Sequence, residues 1–582
     1  MESVSFWCFC FSNITLVFVR KIGKIRTNMA APVPENQKIT KILDTKFNED
    51  FAERADKLCP DLSSVTRGPQ RLLSFVPDSQ SFFHLRADDV KPPHLLPTCE
   101  LSRGNHVILD YGLHMVGKLT FTITAHGLNI DAPCRLRITF GETPLDVTAG
   151  MEGVNTWIST SWLPDEIINV DYFPQTISMP RRHACRYIRF DVIDTSPKFR
   201  VTLSDARFEA VSSVEQHRAI QVFDFGGDTL LNKIDHASIS TLRDCMHTVF
   251  EDGPRRDRRM WIGDLRLQAL TNYCTFKDYI LVKRSIFMFA ALVREDGSLP
   301  ACLFEHPNLR PATDYIVDYD SLFTVVCCEY VEASGDVETG NLVWETVCNG
   351  LQRAIDHLNP ESHVFELDRG EGWKFLDWRE DLDRTAGLHG LVLYCLKAAN
   401  RLADTLARPP PYSDLVEGMS RAAQTFYNPD SKLFVSGSNQ QISIASAAWL
   451  VLADVFPVET ARESLKNTLR HPDRVEPATP YLWHYLCESL ISVGLFEEAI
   501  DILRTYWGGM IRAGADTFWE CFDPSDPQLS PYGDVRNNSF CHAWSCTPSY
   551  LLRVKLGDHL RASSSSMGTM HEYDKKWISS IL

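Results

Sequence analysis

The segment DGPRRDRRMWIGD, residues 252–264, places three carboxylates and four arginines around one tryptophan. Aromatic faces beside charged groups can bind sugar rings, and glycoside hydrolysis needs two carboxyl groups that flank the scissile bond. The arginines can pair with some of the acids and keep them ionised, while a more buried acid keeps its proton. A basic targeting patch is the alternative, but the interleaved acids leave it little net charge. The segment therefore indicates a candidate sugar-binding site.

Three later segments repeat the combination of carboxylates with aromatic rings, each in a long connection between predicted helices. Long ordered loops in a compact domain are usually functional, so we expect the four segments to converge over one cavity. The candidates in these three segments are Glu305, Asp314, Tyr315, Asp318, Trp373, Asp377, Trp378, Trp519, Glu520, His542 and Trp544.

Each of these residues also has a purely structural interpretation. Asp264 could cap the helix that follows it, and Asp252 precedes a Gly-Pro turn. Trp373 and Trp378 could be core residues, and His542 could be a buried histidine with ordinary hydrogen bonds. The recurrence of the same combination in four separate loops favours a site.

The composition excludes several classes of protein. A net charge of −16 argues against general binding to nucleic acid or to anionic membranes, which needs unopposed Lys and Arg. The 17 cysteines follow no disulfide or zinc spacing, so we expect reduced thiols and neither a metal nor another cofactor. The expected partner is a carbohydrate or glycoside.

The N-terminus allows two interpretations. Residues 6–19 are apolar, but they are too short for a comfortable membrane span, and the basic residues follow them. Met29 opens a stretch that is typical of a cytosolic start. We therefore predict a cytoplasmic protein, with secretion or a signal anchor as the alternative if residues 1–28 are genuine.

The hydrophobic period divides the chain into an N-terminal β part and a C-terminal α part. Between residues 70 and 221, HVILDYG, KLTFTITAHG, RLRITFGE, TWISTSW, YIRFDVID and FRVTLSDARFEAV alternate with period two, which predicts an antiparallel β-sandwich. Residues 222–558 contain twelve segments of helical period, as an (α/α)6 toroid requires. An N-terminal extension, 1–69, is predicted to be partly disordered or helical, and 559–582 to be a tail.

At these motifs the sequence resembles glycoside hydrolase family 78, the α-L-rhamnosidases. The family motif D-G-P-x-R-[ED]-R-x-x-W-x-G-D corresponds to residues 252–264, and F-x-D-W corresponds to FLDW, 375–378. The W-E pair of the family's general-base loop matches TFWECFDP, and H-x-W-S-x-x-P-x-Y matches HAWSCTPSY, 542–550. Upstream, LDYGLHMVGKLTFTI resembles the sandwich that precedes the family's barrel. The resemblance covers residues 70–558.

The resemblance implies an inverting exo-glycosidase that removes terminal α-L-rhamnosyl residues, with Asp257 as general acid and Glu520 as general base. The acid position is usually Glu in the family, and Asp is one methylene shorter. A polysaccharide lyase using Tyr315 or His542 as base and a non-catalytic carbohydrate-binding homologue are the alternatives. The predicted substrate-binding residues are Asp252, Arg256, Trp261, Asp264, Trp373, Asp377, Trp378, Trp519, His542 and Trp544.

Overall fold

A computed structural model of the chain describes residues 43–130, 133–215, 220–225 and 227–564. The predictions for residues 1–28 and for most of the C-terminal tail lie outside these ranges. Within them, a β-sheet region is followed by a helical region. Strand β1 (Thr45–Phe47) and helix α1 (Glu49–Lys57) come first, and Asn48 caps α1 by accepting a hydrogen bond from the backbone N–H of Phe51.

Nine strands of the N-terminal region form one antiparallel hydrogen-bonded sheet in the order β2-β10-β5-β9-β6-β7. Strand β3 pairs with β4 and β5, and β8 pairs with β5. A short helix, α2 (Pro144–Thr148), follows β6. The strands are β2 (Ser63–Arg67), β3 (Arg71–Pro77), β4 (Leu85–Lys91), β5 (His106–Gly127), β6 (Cys134–Gly141), β7 (Asp165–Val170), β8 (Gln175–Ser178), β9 (His183–Asp194) and β10 (Phe199–Ser212).

Strand β5 organises this sheet because its two halves pair with different neighbours. It bends at Gly112, whose φ of 83° suits glycine. Its first half pairs with β3 and its second half with β8 and β10, while β9 runs along both. The second half buries alternate apolar residues such as Leu119 and Phe121, as the period of two predicts.

The helical region contains the twelve helices predicted from the sequence. Two of them continue through a π-helical turn, at Leu503–Trp507 and at Leu551–Lys555. The helices are α3 (Thr229–Cys245), α4 (Ile262–Cys274), α5 (Tyr279–Ala290), α6 (Val317–Ser334), α7 (Val337–Ile355), α8 (Thr385–Thr405), α9 (Ser413–Ala423), α10 (Ile444–Leu452), α11 (Val458–Arg470), α12 (Pro480–Ser492), α13 (Phe496–Ile502, continued to Gly508–Arg512) and α14 (Pro548–Tyr550, with its π-helical turn). Helix α15 (Gly557–Ser564) follows them.

Alternate helices contact one another in a closed circuit. Helix α4 packs against α6, α6 against α8, α8 against α10 and α10 against α12, while α14 packs against both α12 and α4. Each remaining helix packs against a member of this circuit: α3 on α14, α5 on α6, α7 on α6 and α8, α9 on α8, α11 on α10 and α13 on α12.

Short strands accompany the helices. Strand β12 pairs with β1, and β11, β13 and β14 form a three-stranded sheet whose first strand carries Trp261. These strands are β11 (Met260–Trp261), β12 (Leu292–Arg294), β13 (Cys302–Phe304), β14 (Arg310–Pro311), β15 (Tyr427–Asn428) and β16 (Leu433–Phe434).

Two strand assignments and one boundary predicted from the sequence differ from the structure. HVILDYG and KLTFTITAHG are the two halves of β5, because the glycine between them bends the strand without ending it. TWISTSW (156–162) is a loop that ends in a 3₁₀ turn, although its residues favour strands. The sheet also begins before residue 70, since β2 pairs with β10.

Two general expectations concern the whole described chain. The cysteines within it are all free thiols, and most of them are buried. Among the described residues, no helix is both long enough and apolar enough to span a membrane.

Candidate active site

A cavity of about 410 Å³ lies where the predicted loops converge, and a loop of the β-sheet region forms part of its wall. Its floor is made of buried polar and aromatic side chains. Ten of the predicted catalytic and substrate-binding residues line it: Asp252, Arg256, Asp257, Trp261, Asp264, Trp373, Trp378, Glu520, His542 and Trp544.

The segment that begins at Asp252 forms a closed loop in which its own backbone donates hydrogen bonds to the Asp252 side chain. The backbone N–H groups of Arg259 and Asp257 donate to the Asp252 carboxylate at 3.1 and 3.3 Å. The backbone N–H of Asp252 donates to the carbonyl of Arg259, and that of Arg258 to the carbonyl of Gly253. This closed loop holds Asp257 at the cavity before the chain continues into β11 and α4.

Arg256 lies between the two predicted catalytic carboxylates. Its Nη1 donates to Asp257 Oδ1 at 2.9 Å and its Nη2 to Glu520 Oε2 at 2.8 Å. Its Nε donates to the carbonyl of Asn537, and the guanidinium stacks 3.9 Å from the ring centre of Tyr532. One buried cation therefore holds both acids, which explains why opposite charges are concentrated in one segment.

Glu520 is almost completely buried and is held by three donors. Besides Arg256, the Tyr532 hydroxyl donates to its Oε1, and the Ser539 backbone N–H donates to its Oε2 at 3.1 Å. Burial raises the pKa of Glu520, and the attraction of Arg256 offsets only part of that effect. A raised pKa makes the ionised carboxylate a stronger base.

Asp252 and Asp257 form a coupled pair with opposite pKa shifts. Burial raises the pKa of Asp252 to about 7, and the charge of Asp257 adds to the effect. Burial also opposes ionisation of Asp257, but Arg256 and Arg259 outweigh it and lower its pKa. The proton of the pair therefore resides mainly on Asp252, next to Asp257.

Asp264 and His542 place unpaired polar atoms at the cavity. Burial raises the pKa of Asp264 well above its usual value, and lowers that of His542 to about 3, so the imidazole is neutral. Asp264 Oδ1 and His542 Nδ1 lie 3.6 Å apart, and neither has a hydrogen-bond partner within the described protein. Asp264 makes no cap hydrogen bond at the start of α4, and both of these unpaired atoms are buried beneath the cavity.

Aromatic rings cover the apolar side of the cavity. Trp373 and Trp378 lie 5.7 Å apart between ring centres, and Trp544 stacks on Phe375 at 6.2 Å. The backbone N–H groups of Phe375 and Leu376 donate to Asp318, which fixes the loop that carries both tryptophans. The tryptophans of this loop therefore lie at the cavity, and Asp318 positions them.

Two predicted binding residues, Asp377 and Trp519, lie outside the cavity lining. The Asp377 carboxylate accepts hydrogen bonds from the Ala478 backbone N–H and the Thr479 hydroxyl, at the start of α12. Trp519 packs in an aromatic cluster with neighbours such as Phe83, at 5.4 Å between ring centres. In the structure, these two side chains contact neighbouring loops and do not line the cavity.

Other cavity residues were missed as binding residues by the sequence analysis. Trp157 and Trp162 come from the segment that was predicted as a strand, and Tyr532 comes from the loop that follows Glu520. The sequence does contain an indication that this segment is not an ordinary strand. Two tryptophans five positions apart would face opposite sides of a strand, and one core could not bury both. Asp314 lines the cavity, as its loop predicts, whereas Glu305 bonds Arg284 and Thr248.

A cavity that combines paired carboxylates with aromatic faces is typical of glycoside hydrolases, and comparisons identify which kind. Residues 69–210 match the glycosyl hydrolase family 78 alpha-rhamnosidase N-terminal domain, and residues 225–555 match the bacterial alpha-L-rhamnosidase 6 hairpin glycosidase domain. The chain therefore belongs to glycoside hydrolase family 78 and is a glycoside hydrolase.

Solved structures agree with this assignment. A rhamnosidase from Klebsiella oxytoca with rhamnose bound is 37% identical over 88% of this chain and 99% of its own, with a TM-score of 0.83. A family 78 rhamnosidase of Bacillus sp. GL1 shares the fold at 19% identity, over 82% of this chain and 50% of its own, with a TM-score of 0.66. A search of curated proteins found no match.

Proposed function

We propose that the chain hydrolyses terminal α-L-rhamnosyl residues of glycosides or oligosaccharides, with inversion at the anomeric carbon. The observation that carries this proposal is the shared guanidinium of Arg256, which holds Asp257 and Glu520 at one cavity. Rhamnose bound in the related Klebsiella oxytoca structure supports the choice of sugar. The depth of the floor, where the Glu520 side chain is 2% exposed, supports exo action on a terminal sugar.

The two carboxylates have different roles in this proposal. Glu520 removes a proton from a water molecule that attacks the anomeric carbon, and the bond to the leaving group breaks. Asp257, in its protonated form, donates a proton to the departing oxygen, and the neighbouring Asp252 is the acid of the pair whose pKa is raised. Asp264 and His542 hold sugar hydroxyl groups, and Trp261, Trp373, Trp378 and Trp544 form the apolar faces of the site.

Inversion at the anomeric carbon can be tested by identifying the anomer of the sugar that is released first. An inverting pair leaves room for water, with carboxyl groups about 6.5–9.5 Å apart. Proton NMR of an early time course should therefore show the β-anomer of the released sugar first. Initial release of the α-anomer would contradict the mechanism.

The architecture proposed for this function is a β-sandwich, predicted at 70–221 and extended by β2 at its N-terminal side, followed by an (α/α)6 toroid at 222–558. The two-sided pairing of β5 supports the sandwich. Six of the twelve helices form a closed circuit, and each of the other six packs against a helix of that circuit. This arrangement supports the toroid. In such a toroid the loops at one rim surround a central cavity.

Substitution of each carboxylate should separate their roles. A general acid matters most when the leaving group needs a proton, and nitrophenolate leaves without one. Asp257→Asn should therefore almost abolish hydrolysis of a rhamnosyl disaccharide while retaining much of the activity on nitrophenyl rhamnoside. Glu520→Gln should inactivate the enzyme on both substrates, because water activation is always required.

Asp377→Asn is the matched control, since this acid shares the neighbourhood without lining the cavity. It should leave the ratio of the two activities unchanged. Equal losses for Asp257→Asn on both substrates would refute its role as acid. An unsaturated product that absorbs ultraviolet light would favour the lyase alternative, and sugar binding without turnover would favour the binding homologue.

A further inference from the structure

The two proposed catalytic carboxylates lie at different depths in the cavity. The side chain of Glu520 is 2% exposed, whereas that of Asp257 is 18% exposed. If the sugar occupies the floor beside Glu520, a leaving group protonated by Asp257 points towards the mouth. Side chains at the mouth therefore contact the leaving group.

Part of the mouth is built by the β-sheet region. Trp157, Ile158, Ser159 and Trp162 lie in the loop between α2 and β7, and they line the same cavity as Asp257. All four are partly or fully exposed, unlike the residues of the floor. This loop supplies a wall that the helical region does not provide.

Hydrogen bonds fix the wall to the loop that follows Glu520. The Trp157 Nε1–H donates to the carbonyl of Pro531 at 2.9 Å, and the Thr156 hydroxyl donates to the carbonyl of Tyr532 at 2.9 Å. The Arg536 guanidinium donates to the carbonyl of Gly150 at 2.9 Å. The Trp157 ring is therefore held in place before any substrate binds.

The chemistry of this wall favours an aromatic ligand. The indole N–H of Trp157 is already used by Pro531, and the Ser159 hydroxyl accepts from the Ser161 backbone N–H at 3.1 Å. The wall therefore combines two indole rings and an isoleucine with the Ser159 hydroxyl, whose own O–H remains a donor. An aromatic ring of the leaving group gains from stacking on these indoles, whereas a sugar ring, which has no π-system, lacks the ring-to-ring part of that gain.

We propose that Trp157 and Trp162, with Ile158 between them, form the leaving-group subsite, and that this subsite takes an aromatic ring joined directly to the sugar. The proposal rests on the proposed function, because it assumes that rhamnosides are cleaved in this cavity. It adds the class of leaving group and the residues that select it.

The test compares three substrates: nitrophenyl rhamnoside, methyl rhamnoside and a rhamnosyl-glucose disaccharide. Trp157→Ala should raise KM for the nitrophenyl substrate by about tenfold with little change in kcat, because a stacking surface is lost. Its kcat/KM for methyl rhamnoside and the inhibition constant of free rhamnose should change by less than about twofold. Trp157→Phe should retain most of the nitrophenyl affinity, since a ring remains although its bond to Pro531 is lost.

Trp344→Ala is the control, because this ring packs under Arg408 on another part of the helical region, and it should change none of these values. Equal losses on all three substrates would overturn the proposal, because Trp157 would then act by holding Tyr532 against Glu520. A loss confined to the disaccharide would overturn the aromatic assignment. A wild-type chain that releases rhamnose from none of the substrates would instead contradict the proposed function.

Discussion

Among the individual side chains of the site, Arg256 determines the charge state of its neighbours. A buried carboxylate is costly unless it is paired, and this guanidinium pairs with two of them. Its attraction lowers the pKa of Asp257 but leaves that of Asp252 raised, so the two acids differ although they belong to one loop. Burial and the neighbouring arginines thus give two acids of one loop different proton affinities.

The coupled acids predict how activity depends on pH. In the wild type, kcat/KM should fall as pH rises through about 7, because the Asp252–Asp257 pair then loses its proton. In Asp252→Asn the proton must reside on Asp257, whose pKa is lowered, so the fall should move to lower pH. A pH profile of kcat/KM measures the position of this fall whatever the absolute rate.

Asp381→Asn provides the comparison, because this exposed acid pairs with Arg379 at the surface. Its profile should coincide with that of the wild type. If kcat/KM of Asp252→Asn falls at the same pH as in the wild type, the Asp252–Asp257 pair is not responsible for the pH dependence of activity.

At the level of helices and strands, close packing of α8 against α10 depends on a glycine. A Cβ added at Gly390 would lie 2.6 Å from the carbonyl carbon of Trp449 and 2.9 Å from the backbone nitrogen of Leu450. Real Cβ atoms essentially never approach backbone that closely. The two helices of the circuit can therefore keep their separation only while position 390 has no side chain.

Gly390→Ala should lower the free energy of unfolding by about 1–3 kcal/mol, as overpacked cores do. Alanine favours a helix interior over glycine by about 1 kcal/mol, so packing and helix propensity oppose each other here. Chemical denaturation measures the result. Gly557→Ala, where the nearest neighbour is the flexible Arg561 side chain at 3.4 Å, should not destabilise the protein. A stabilised Gly390→Ala would show that the helices can separate at little cost.

Elements with a clear period were predictable, whereas individual loop side chains were not. Helices such as α7 and α11 bury one face, so their apolar spacing is visible in the sequence, whereas α4 and α10 are buried on nearly every side and α10 shows as an apolar run. Asp377 and Trp378 are neighbours in one loop, yet only the tryptophan lines the cavity. The hydrogen-bond partners of Asp377, Ala478 and Thr479, lie about a hundred positions away in the sequence. The residues around Asp377 therefore could not predict these contacts. TWISTSW was assigned as a strand because its β-branched and aromatic residues favour strands, although here they build a cavity wall.

On the scale of the whole molecule, buried ionic contacts join the β-sheet region to the helical region behind the active site. His114 of β5 bonds Glu142 at 3.0 Å and Asp244 at 2.8 Å, and Glu142 also accepts the Phe540 backbone N–H. Arg255, two positions before Asp257, bonds Asp146. The loop that carries the proposed acid is thus held from both regions.

His114 links this junction to pH. Burial opposes its charge, but Cys541, Asp244 and Glu142 outweigh that effect and raise its pKa well above 6.5. Its contribution to stability is therefore fully present below about pH 6.5 and is lost as pH rises through the raised pKa. His114→Gln should lower the free energy of unfolding by about 1.5–3 kcal/mol at pH 6, since Asp244 keeps Arg243 and Glu142 keeps the Phe540 N–H, but both lose a charged partner.

The difference from the wild type should be smaller at pH 9, and denaturation at both pH values measures it. His306→Gln, at an exposed histidine, should unfold like the wild type at either pH. A difference that does not vary with pH would show that His114 is neutral in the folded protein.

The bonds between Trp157, Thr156 and the loop at 531–532 also bear on how this enzyme could be shortened or recombined. The β-sheet region supplies a wall of the cavity and contacts the loop that positions Glu520, so it is not a removable appendage. Exchanging it for the corresponding region of another family member should alter which glycosides are accepted, while the sugar-binding floor remains that of the parent. The two regions should therefore be kept together when the enzyme is engineered. The loop that carries Trp157 is the part to vary.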